Sequence, residues 1–104
     1  MGEERVSVTL DFTECRYIME LYKEMRVKME WEDFYGDNLD ALWDILWGMP
    51  HKGNDFVIRR PRTYQNIPHG DNERFTGYVN KICSIFERAQ NHGYLTMQII
   101  YTES

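Results

Sequence analysis

Val6, Val8, Leu10 and Phe12 alternate with Ser7, Thr9 and Asp11, the period of two expected of a strand with one face better buried than the other. Thr13 then suits the N-cap of a helix in which Ile18, Leu21, Tyr22 and Met25 recur at helical spacing. The other face of that helix carries Glu14, Arg16, Glu20, Lys23, Glu24 and Lys28, and such a mixture of signs reads as solvated surface. Met29 to Asp37 forms an acidic and aromatic loop. A second helix starts at Asn38, whose side-chain oxygen can accept a first-turn amide, with Asp40 at the positive end of the dipole. Leu39, Leu42, Ile45 and Leu46 make its apolar face, Asp40, Asp44 and Trp47 fall on the opposite side, and Trp43 stands at the border. Gly48, expected in a left-handed C′ conformation, and then Met49-Pro50 stop it.

After the polar connection His51 to Asn54, Asp55 to Arg60 predicts a short strand, and Thr63 to Gly70 a loop or a single helical turn. Asp71 or Asn72 can cap a long helix with the stripe Phe75, Tyr78, Val79, Ile82, Phe86 and Ala89, ending at Gly93. Gly77 costs this helix about 1 kcal/mol relative to alanine. Leu95 to Tyr101 predicts the last strand. The order strand, helix, helix, strand, helix, strand implies an α/β fold with right-handed crossovers: a small three-stranded parallel sheet packed with three to four helices. No repeat or linker divides the chain, so residues 1–104 are expected to form a single domain.

Charge narrows the function. The chain has 17 acids and 12 Lys or Arg, yet Met29 to Pro50 holds six acids (Glu30, Glu32, Asp33, Asp37, Asp40, Asp44) and no base. The remainder is therefore nearly balanced, with 11 acids against 12 bases, and the net acidity belongs to this one segment. A net charge of -5 argues against nonspecific nucleic-acid binding and favours cationic partners. No run of about 18 apolar residues suggests a membrane span, and no signal-peptide core follows the charged start, so a cytoplasmic location is expected. Cys15 and Cys83, each inside a predicted helix and without a Cys-x-x-Cys pattern, read as reduced structural thiols.

Catalytic patterns are missing: the sequence has no GxSxG elbow, phosphate loop or dinucleotide fingerprint. His51, His69 and His92 are scattered, with no second ligand at metal-binding spacing, and no cofactor is implied. Asp40 and Asp44 could hold a hard cation in a metal-dependent enzyme, but one helical turn supplies too few oxygens without ligands from elsewhere. Arg59-Arg60-Pro61-Arg62, the one basic run, offers a phosphate contact or simply solvates a strand end.

The outer face of the second helix is the anomaly. Two carboxylates one turn apart disfavour each other, and beside them stand indoles of the kind that dominate binding hot spots. The combination fits a docking face for a basic partner. Phe34-Tyr35-Gly36-Asp37-Asn38-Leu39-Asp40-Ala41-Leu42-Trp43-Asp44-Ile45-Leu46 resembles the signature of the barstar family of intracellular ribonuclease inhibitors. Phe86-Glu87-Arg88-Ala89 with Gly93, and the apolar run ending at Ile99-Ile100, extend the resemblance.

The resemblance implies a bacterial protein, monomeric when free, that inhibits a basic, barnase-like ribonuclease. It implies that Asp44 enters the nuclease phosphate pocket, that Asp40 makes the neighbouring pair, and that Gly36, Asn38, Leu39 and Gly48 lie along the same rim. On this reading the two carboxylates replace RNA phosphates, while Phe34, Trp43 and Trp47 exclude water around the ion pairs. Three positions depart from the family pattern: Phe34 stands in place of tyrosine, Met49 in place of tryptophan, and Arg88 where an acid meets the nuclease. An immunity or regulatory module for another basic protein is the alternative binding reading.

Overall fold

The alternation at the start of the chain becomes strand β1 (Ser7–Asp11), with Val8 and Leu10 buried and Ser7, Thr9 and Asp11 exposed. A computed structural model of the chain describes residues 6–31, 38–48, 54–68 and 70–102. Within them β1 is followed by α1 (Ile18–Met29), α2 (Leu39–Trp47), β2 (Asp55–Arg60), α3 (Asn72–Asn91) and β3 (Thr96–Tyr101). The strands form a parallel sheet in the order β1-β2-β3. This is the predicted α/β architecture, with three helices among the described residues.

Register explains where the core lies. Val8, Phe56 and Met97 stand side by side, as do Leu10, Ile58 and Ile99, so six apolar residues tile one face of the sheet. The buried residues of all three helices join the same cluster: Leu21, Tyr22 and Met25 from α1, Leu42, Ile45 and Leu46 from α2, and Val79, Ile82 and Phe86 from α3. The opposite face presents Ser7, Thr9 and Asp11, then Val57 and Arg59, then Thr96, Gln98 and Ile100, none of them fully buried. Parallel sheets are usually covered on both sides. The one-sided covering here accounts for the strong alternation of β1. Asn54 ties the start of the sheet together: its side chain accepts from Val6 N–H at 3.0 Å, and its carbonyl accepts from Thr96 N–H at 2.9 Å.

Several expectations need correction. Thr13 does not cap α1, which begins five residues later. Thr13 instead lies in a turn, its N–H on Asp11 Oδ1 and its hydroxyl on that of Thr102, while Arg16 donates to the Thr13 and Cys15 carbonyls. Glu20 reaches back to accept from the N–H groups of Arg16 and Tyr17, which satisfies orphan donors at the true helix start. Cys15 consequently lies in the β1–α1 connection rather than in a helix. Ile18, predicted on the buried stripe, is 40% exposed because α1 has only just begun there. Gly48 has φ 177°, extended rather than left-handed. Pro50, His51 and His69 lie outside the described residues.

The basic run is also largely structural. Arg60 is only 3% exposed; its guanidinium donates to Asn80 Oδ1 and to the carbonyls of Pro61 and Arg62, and contacts the Cys83 sulfur at 3.7 Å. Arg59 faces Asp11 at 3.7 Å, and Arg62 stacks over Tyr101 at 4.3 Å. Beneath this corner Tyr64, 1% exposed, sends its hydroxyl across the core to the Phe12 carbonyl at 2.7 Å. The bond fastens the loop before α3 to the end of β1.

Both cysteines are free and buried. Burial, assisted by the nearby Glu20 and Glu24, pushes the Cys15 thiol up to about 12, and burial raises Cys83 against the pull of Arg60. Two outcomes are expected. Neither thiol reacts with a thiol reagent in the native protein at about pH 8, whereas both react in urea. Because the folded Cys15 value exceeds the ordinary 9.0, its contribution to stability is intact below pH 9 and falls as pH climbs from there toward 12, which urea titrations across that range will read. Separately, Tyr64→Phe lowers stability by about 1 kcal/mol, seen as a lower urea midpoint at unchanged slope.

Candidate functional site

Local sequence chemistry builds α2. Asn38 caps it, its side-chain oxygen accepting from Ala41 N–H at 2.8 Å, and Asp40 occupies the first turn. Gly48 closes it by donating to the Asp44 carbonyl at 3.1 Å. Leu42 and Ile45 are wholly buried and Leu46 nearly so, and together they lock one side of this short helix into the core. Nine residues would not hold a helix in water unaided, so this packing is what fixes the direction of the opposite side.

That opposite side consists of two parallel rows at one-turn spacing. Asp40 and Asp44 form the outer row; both are exposed, and among the described residues neither carboxylate has a hydrogen-bond or ion-pair partner. Elsewhere surface charges do find partners, as Lys28 does with Glu24 at 2.8 Å and Arg74 with Asp71 at 3.7 Å. Trp43 and Trp47 form the inner row, half-buried, their rings 4.4 Å apart at 34°. Trp47 therefore does not stand out among the acids as the helical projection suggested. Its ring is 4.5 Å from His92 and 4.8 Å from Tyr94, so it closes the seam between α2 and the end of α3.

α3 supplies the matching row. Arg88 and His92 are also one turn apart, and the Arg88 guanidinium lies 4.6 Å from the Trp43 ring centre, a cation-π contact. The two helices thus meet in two rungs, Arg88 on Trp43 and His92 on Trp47, with Tyr94 flanking the second. Gly93, at φ 83°, makes the left-handed turn that brings Tyr94 back against Trp47. Sequence reasoning overlooked His92 and Tyr94. The one available signal was that His92 follows Arg88 by four residues on the same helical stripe.

Of the residues singled out from sequence, the structure brings together Asp40, Trp43, Asp44, Trp47 and Arg88, with Asn38, Leu39 and Gly48 at the two ends of α2. Leu39 is half-buried against the core rather than fully on the rim. Phe34 and Gly36 lie outside the described residues, as does Met49. No group of three or more His, Cys, Asp or Glu that could hold a metal occurs among the described residues. No helix among them is long and apolar enough to cross a membrane. The arrangement offers carboxylates without a partner among the described residues on an aromatic-backed ridge, which suits binding of a cationic surface.

Comparison with known proteins bears on this ridge. The family model Barstar, described as "Barstar (barnase inhibitor)", matches residues 5–99, nearly the whole chain. A protein of Bacillus subtilis (strain 168) named "Putative ribonuclease inhibitor YrdF" is 39% identical over 41 residues. That match covers 39% of this chain and 45% of the relative, so less than half of the relative's length is spanned.

The packing gives one expected outcome. Trp47→Ala removes the half-buried ring between Trp43, His92 and Tyr94 and lowers stability by about 2 kcal/mol, less than a fully buried Trp would cost. Asp40→Ala, at an exposed side chain without a partner among the described residues, leaves stability within about 0.5 kcal/mol. Urea titrations of the two variants check the contrast.

Proposed function

We infer function from the family: the chain belongs to the barstar family, whose proteins are inhibitors rather than enzymes. We propose that it inhibits a basic, barnase-like ribonuclease inside the producing cell by covering the nuclease active site with α2. The observation that carries this reading is the pair Asp40 and Asp44, both exposed and without a partner among the described residues, on a helix backed by two indoles in contact. A ribonuclease must gather Lys, Arg and His to hold a phosphodiester. Carboxylates set one turn apart on a rigid helix can take the place of successive phosphates in such a cleft.

The roles are those the family resemblance implies. Asp44, next in the chain to Trp43, enters the phosphate pocket, and Asp40 pairs with a neighbouring cation. Bidentate hydrogen bonds to arginine are the strongest form either contact could take. On this reading Trp43 and Trp47 exclude water around those pairs and so raise their strength, and Asn38 and Gly48 lie on the rim, which Leu39 reaches only in part and to which the resemblance would add Phe34 and Gly36. Because the helix is already anchored in the core, little ordering is needed on binding. The acidic segment also speeds encounter with a cationic nuclease, a rate that falls as salt rises.

The test is calorimetry and inhibition assay of the purified chain against basic microbial ribonucleases. One is expected to bind tightly and lose activity on binding. Asp44→Ala then weakens binding by roughly 3 to 7 kcal/mol, a scale taken from charge pairs of the related barnase–barstar complex rather than derived from this surface. Unchanged affinity in that variant contradicts the reading.

A further inference from the structure

Arg88 is a cation on a face otherwise made of acids and indoles. Its guanidinium lies over Trp43, the neighbour of Asp44 in the chain, yet no Arg88–Asp44 ion pair forms, nor any hydrogen bond from that guanidinium among the described residues. The N–H donors of the guanidinium are thus not taken up within the described residues and stay open to a partner. The indole also restricts the side chain before any partner arrives, which lowers the ordering cost of a contact made there.

This geometry makes the docking face bipolar, with carboxylates on one flank of the indole row and a fixed guanidinium on the other. A uniformly basic partner surface would be repelled where it met Arg88. RNA or another polyanion would suit Arg88 but be repelled by Asp40 and Asp44. A protein whose basic cleft is bordered by a carboxylate satisfies both flanks. We propose that Arg88 is a specificity-determining contact that reads an Asp or Glu at the rim of the partner's cleft while Asp40 and Asp44 enter it. The inference rests on the inhibitor reading and narrows it to ribonucleases with such an acid.

The experiment uses the full chain, R88Q, R88K and purified basic ribonucleases, barnase among them. Against the ribonuclease the native chain inhibits best, R88Q is expected to bind at least about tenfold more weakly, with R88K between them because it keeps charge but loses the planar fork. Thermal melting of the three chains should agree to within a few degrees, separating a contact from a structural role. An Asp→Asn and Glu→Gln scan around the nuclease cleft should then find one acid whose loss weakens the native chain but leaves R88Q unaffected. Equal binding by R88Q and the native chain, or the lack of any coupled acid, overturns this inference while leaving the inhibitor reading intact. If the native chain inhibits none of the ribonucleases, both are overturned.

Discussion

Everything the surface offers depends on the burial of Leu42, Ile45 and Leu46. A helix of nine residues is too short to persist alone, and its two like charges one turn apart work mildly against it. The apolar side supplies what is missing by packing into the core shared with the sheet and the other two helices. Once that side is fixed, the direction of Asp40 and Asp44 is fixed too. Among the described residues no cation pairs with either acid.

The indole row connects this core to the exposed ridge. Trp43 and Trp47 are held between the acids and α3, where Arg88 and His92 meet them in register. They hold α2 against α3, so changing either ring costs stability. Asp40 and Asp44, exposed and without a partner among the described residues, can be changed at little cost to the fold.

Much of this was legible in the sequence because the signals are local. Asn38 and Asp71 cap their helices through bonds to residues three positions away, and the alternation of β1 follows from a sheet covered on one side. What escaped was set by contacts distant in the chain. Thr13 looks like a cap, but the turn there is governed by Arg16, Thr102 and the burial of Phe12 and Cys15. Arg60 looks like part of a phosphate site, but Asn80 on α3 claims its guanidinium. Tyr64, in a stretch read only as loop, fastens that loop to Phe12 across 52 residues. Trp47 was assigned to the acidic side by projection, and only the position of α3 and the turn at Gly93 show that it faces a seam.

Competition is the most direct measure of whether α2 occupies a phosphate site. A ribonuclease that the chain inhibits should be titrated with it in the presence of increasing mononucleotide monophosphate, a ligand of that site. If the carboxylate ridge lies in the cleft, the apparent dissociation constant rises linearly with nucleotide concentration, without levelling off. A dissociation constant that stays flat or levels off, with chain and nucleotide bound to the enzyme together, would contradict the account.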